Sequence, residues 1–118
     1  MRRTALVLIA GAIMALTGPA AAFAAVPSTV SIGFNHTTEF FHGVVHSSDA
    51  ECQAGRTVKV YQEGANGPEL QGRVTSDANG HWKIEVMHAS GGYFAKVPAE
   101  KVMHTHCGGA KSRTVDVM

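Results

Sequence analysis

Between Val26 and Met118, apolar residues recur at alternate positions in short runs, and turn residues divide the runs. Val30, Ile32 and Phe34 alternate with Ser31 and Gly33. Phe41, Gly43 and Val45 alternate with His42, Val44 and His46, and the glycine in mid-run marks a bulge or a close backbone approach. Val58 and Val60 define a strand over residues 56–62, and residues 70–75 form a weakly patterned edge strand. Trp82, Ile84 and Val86 alternate with His81, Lys83 and Glu85 in a strand reaching about Met87. Tyr93, Ala95 and Val97 form a sixth strand ended by Pro98, residues 101–107 a seventh, and Val115 and Val117 close the chain. No apolar stripe has helical length or period. Seven or eight short strands with turn signals between them predict an all-β antiparallel β-sandwich. Its expected core is Ile32, Phe41, Val45, Val58, Val60, Trp82, Ile84, Val86, Tyr93, Ala95, Val97, Val115 and Val117.

Two turn clusters punctuate the pattern. Residues 63–68, Glu-Gly-Ala-Asn-Gly-Pro, are the clearest break. Asn79-Gly80 is a dipeptide suited to positive φ, and it predicts a two-residue hairpin joining the fourth strand to the Trp82 strand. Asp77-Ala78-Asn79-Gly80 also carries oxygens that suit calcium. It lacks the later ligands and bidentate glutamate of an EF-hand, and turn chemistry accounts for it.

The N-terminus follows a different rule. Met1-Arg2-Arg3 precedes an apolar run from Leu6 to Leu16, then Gly18-Pro19 and small residues up to Ala25. This layout predicts a secretory signal peptide over residues 1–24, with Ala22 and Ala25 as alternative cleavage points. The run is short for a membrane span, so no stable span is expected after cleavage. The mature domain is then residues 25–118, and the protein is secreted. Removing Arg2 and Arg3 from the ten basic residues leaves eight against nine acidic ones. A net charge near zero gives no electrostatic footprint for nucleic acid. Cys52 and Cys107 are the only cysteines. In an oxidising compartment they are expected to pair as a disulfide, closing a loop of about 55 residues.

An ordered set of pieces runs through the mature chain: Phe41-x-Gly43-x-Val45-x-Ser47, Cys52, Arg56-x-Val58-x-Val60, Asp77-x-x-Gly80-x-Trp82, Gly92-Tyr93-Phe94-Ala95-Lys96-Val97 and Cys107. This set resembles small secreted bacterial proteins that have no assigned activity. The segment from Thr75 to Trp82, with Gly91-Gly92-Tyr93, is similar to prealbumin-like sandwich modules. These include the carboxypeptidase regulatory-like and Cna-B-like (Ig-like) domains, although Ser76 here separates Thr75 from Asp77. The resemblance implies a seven-stranded Greek-key sandwich with an extracellular binding or structural role, in which Asp77, Asn79, Gly80, Trp82 and Tyr93 are structural. It implies no catalytic residues. The first strand lacks the lysine of the internal isopeptide bond found in Cna-B-like domains, so that bond is not carried over.

Seven histidines remain as the unusual feature of composition. His104 and His106 are two apart on an expected strand and so share a face; His42 and His46 are four apart on another. Imidazoles so placed form a candidate Zn or Cu site, against which stands a simple solvent-facing polar face. No nucleophile elbow, phosphate loop or carboxylate pair points to catalysis. The leading expectation is a non-catalytic exported interaction or structural module without a cofactor. Its partner would be an extracellular protein or a cell-surface component. The alternatives are a divalent-metal binder and a secreted inhibitor or ligand-capture domain using loops at residues 64–69 or 88–92.

Overall fold

The structure is a computed structural model that describes residues 24–118. All of the expected leader but Ala24 lies outside the described residues. The strands are β1 (Ser28–Val30), β2 (Gly33–Asn35), β3 (Phe40–Ser47), β4 (Thr57–Gln62), β5 (Glu69–Thr75), β6 (His81–Glu85), β7 (Gly91–Val97), β8 (Glu100–Val102), β9 (Thr105–Cys107), β10 (Ala110–Lys111) and β11 (Val115–Val117). Among the described residues a single 3-10 turn, Ala50–Cys52, interrupts them. The class is all-β, and every strand pair is antiparallel.

Two sheets carry the architecture. In the first, β1 and β2 run in succession along one edge of β3, and β6 pairs with its other edge. In the second, β10 and β11 follow one another along β7, then come β4 and the edge strand β5. The inward residues of both sheets form one core. It joins Val30, Ile32, Phe41, Val45 and Trp82 to Val58, Val60, Tyr93, Ala95, Val97 and Val117. Phe41 and Tyr93 meet across the sheets with ring centroids 4.7 Å apart. Ile84, Val86 and Val115, also expected inside, are partly buried at the margin of this cluster.

The first strand is broken for a local reason. At Ser31 the backbone N–H donates to the Val44 carbonyl, while the Ser31 hydroxyl accepts from the Val44 N–H in place of a ladder carbonyl. A side chain at position 43 would collide with the Ser31 carbonyl and the Trp82 ring, so Gly43 is what lets this break in the ladder seat against β3, with the register unchanged on either side.

Two sequence expectations need correction. The Asn79-Gly80 turn does not close a hairpin, because β5 pairs with β4 in one sheet and β6 with β3 in the other. The turn instead carries the chain between sheets. The Asp77 carboxylate accepts from the N–H groups of Asn79 and His81, and Gly80 N–H donates to the Asp77 carbonyl. Gly80 has φ 84° and its carbonyl accepts from Val45 N–H, an approach that a Cβ would block. The choice of sheet follows from burial: Trp82 and Ile84 lie opposite Gly43 and Phe41, where β3 offers an apolar inner face. The second correction is at residues 101–107. These form parts of a small hairpin, β8–β9, folding back at Met103-His104.

Candidate functional site

The pole of the sandwich at the end of β7 is closed by a polar network built on Arg56. This residue precedes β4 and is completely buried. A guanidinium has five N–H donors, and here each finds an acceptor. Nε donates to Glu100 Oε1 at 3.3 Å. Nη1 donates to Ser28 Oγ at 2.9 Å and to the Cys52 carbonyl at 2.8 Å. Nη2 donates to the Pro98 carbonyl at 3.2 Å and the Gly108 carbonyl at 2.8 Å. Glu100 Oε1 also accepts from Thr57 N–H, and Ser76 Oγ accepts from Arg56 N–H while donating to the Gln53 carbonyl. One cation thus ties segments that lie far apart in sequence.

The Cys52–Cys107 disulfide lies beside this network, with both cysteines buried. Cys52 ends the 3-10 turn, in which the Glu51 N–H donates to the Asp49 carboxylate. Cys107 ends β9, and Val26 is pinned against the same segment: its N–H donates to the His106 carbonyl, and its carbonyl accepts from Gly108 N–H. The first described residues are therefore tied to the stapled pole. No free cysteine occurs among the described residues.

The outer face of the first sheet carries an open groove of about 730 Å³. His42 and Val44 of β3 and His81 and Lys83 of β6 line it, and Val74, Thr75 and Asp77 close one side. The register places His42 opposite Lys83 and Val44 opposite His81. Phe40 lies on the same face beneath Lys83, whose Nζ is 5.4 Å from the ring centroid. The loop from Gln62 to Glu69 encloses a second hollow of about 470 Å³.

The histidines expected to converge fall into two places. His42 and His46 are exposed on the outer face of β3. His104 sits in the β8–β9 turn and His106, also exposed, within β9 opposite Lys101. Because the chain folds back at His104, His104 and His106 do not share one strand. Among the described residues no group of three or more His, Cys, Asp or Glu side chains comes together in metal-holding geometry. Trp82 is buried in the core, with its indole N–H lacking a partner among the described residues. Tyr93 is buried beside Phe41, and its hydroxyl accepts from Ser90 N–H.

Arg56 is the residue that sequence reasoning missed. It stands at the polar start of an alternating run, and arginine is seldom fully buried. Its one local signal is its place two residues before Val58, in register with the inward positions. No family model, curated protein or solved structure matches the chain. Among the described residues no helix is long and apolar enough to cross a membrane.

Proposed function

We propose that this protein is exported and acts as a non-catalytic β-sandwich module that binds an extracellular protein or cell-surface component, or supports it structurally. The carrying observation is how the interior is used. Inward residues of both sheets fill one another's space, and the buried guanidinium has every donor engaged in holding the pole. The outer faces and loops are then the surfaces left for a partner. The disulfide suits an oxidising compartment. β4 and β5 lie in the second sheet between β3 and β6 of the first, and the chain then returns to the second sheet with β7. That connectivity supports a Greek-key sandwich, in line with the resemblance to prealbumin-like and Cna-B-like modules.

The test is fractionation of the native host expressing the full chain, followed by intact mass and thiol analysis. The expected species lacks residues 1–24, carries no free thiol and sediments with the cell envelope or sits in the medium. A full-length cytosolic protein with both thiols free would overturn the proposal.

A further inference from the structure

The register of the second sheet lines up four cations. Arg73 of β5 is directly opposite Lys59 of β4, Lys59 is opposite Lys96 of β7, and Lys96 is opposite Lys111 of β10. Their strand neighbours Val58, Val60, Ala95 and Val97 are buried in the core, so this row lies on the outer face. Arg73, Lys96 and Lys111 are exposed and Lys59 is half-buried. With neighbouring strands about 4.8 Å apart, the row spans roughly 14 Å.

Like charges directly opposite one another oppose sheet formation, and among the described residues no carboxylate pairs with them. Among the described residues the only ion pair is Arg56–Glu100, and none of the four charged ends donates a hydrogen bond to a protein acceptor. The outward positions flanking the row are Thr57, Thr75, Tyr61 and Phe94, none of them acidic. The acids on this face, Asp116 and Glu63, flank Gly92, four residues along β7 from Lys96, and the Glu63 carboxylate accepts from the Thr114 hydroxyl. The near-neutral charge of the whole chain hides this segregation.

The geometry points to the row as a binding surface for a linear anionic polysaccharide, one bearing regularly spaced carboxylate or sulfate groups. This inference rests on the module reading and names its partner class. Charge complementarity sets the sign of the partner, and the straight row sets its linear form. The aromatic residues beside the row argue against a single-stranded nucleic acid, which uses free ring faces as stacking platforms. Tyr61 and Phe94 stack on each other with centroids 5.4 Å apart, Phe94 is buried, and Lys111 Nζ covers its ring at 4.5 Å. The Phe94 ring is a floor beneath the Lys111 ammonium.

The experiment measures binding of the oxidised, exported protein to dextran sulfate and polygalacturonate. Neutral dextran, an oligothymidylate of matched charge and phosphatidylglycerol vesicles are the comparison probes. The expected result is binding to one or both acid glycans, weaker binding to the other probes and none to neutral dextran. Lys59→Gln/Lys96→Gln should weaken glycan binding about tenfold or more and lower its salt slope by about two, one per cation removed. Lys83→Gln/Lys101→Gln, which removes as much charge elsewhere, should change binding less than about twofold. Absence of glycan binding at low salt, equal losses in the two double variants, or tighter binding to the oligonucleotide or vesicles would overturn the inference. Thiol titration and circular dichroism establish that each variant is folded. If glycan binding fails while the protein is still exported and retained by the envelope, the module reading survives and this inference does not. If the protein stays cytosolic, the module reading fails whatever the glycans do.

Discussion

Arg56 and the row formed by Arg73, Lys59, Lys96 and Lys111 belong to the same half of the molecule and have opposite surroundings. Arg56 is fully buried, and its donors meet a carboxylate, a hydroxyl and three carbonyls. The cations of the row stand opposite one another at the surface with no carboxylate within ion-pair distance among the described residues. A buried cation with complete hydrogen bonding holds a structure together. A set of surface like charges without acidic partners weakens its own sheet slightly and leaves its donors to a ligand. The difference separates structural charge from charge that is available for recognition.

The strongest way to break this contrast is at the pole. Arg56→Ala strands three carbonyls and leaves a void, and is expected to cost about 3–5 kcal/mol in urea unfolding. Against a typical total stability of about 5–15 kcal/mol, that is a large share. A loss below about 1 kcal/mol would show that the network is not what holds the pole. Next comes the staple. Cys52→Ser/Cys107→Ser is expected to lower stability by about 2–5 kcal/mol, read from the same unfolding curves. Gly43→Ala drives a methyl into the Ser31 carbonyl and the Trp82 ring; a loss of about 1–3 kcal/mol is expected, with glycan binding at the second sheet unchanged. The smallest effect is the most informative. Lys96→Gln should leave stability within about 0.5 kcal/mol or raise it slightly, as relief of like-charge repulsion requires. The same variant should weaken acid-glycan binding. One cation then matters only to the fold and another only to the ligand.

Much of the fold was legible in the sequence because alternation is local. Each inward residue of β3, β4 and β7 announces itself by its neighbours two positions away. The sheet assignment of β6 was not legible. Asp77 and Gly80 make a tight turn wherever the chain goes next, and the destination depends on Trp82 finding Gly43 across the sheet. The His104–His106 pair misled for a related reason. A spacing of two implies a common face only if the strand continues, and this one folds back at Met103.

The candidate site was less legible than the fold. Arg56 is buried because positions 28, 52, 98, 100 and 108 supply acceptors, and no local pattern connects them. Lys59, Arg73, Lys96 and Lys111 each look like an ordinary outward position of a separate strand. They become a row only once three registers are fixed, and the sum of charges over the chain conceals it. Cys52 and Cys107 were the exception, because chemistry and their being the only two cysteines left one partner for each.

The central claim is that charge without protein partners on the second sheet serves an acidic polymer. The most direct test is the salt dependence of dextran sulfate binding, compared between the native protein and Lys59→Gln/Lys96→Gln. The slope of log affinity against log salt should fall by about two in the variant. An unchanged slope would contradict the account.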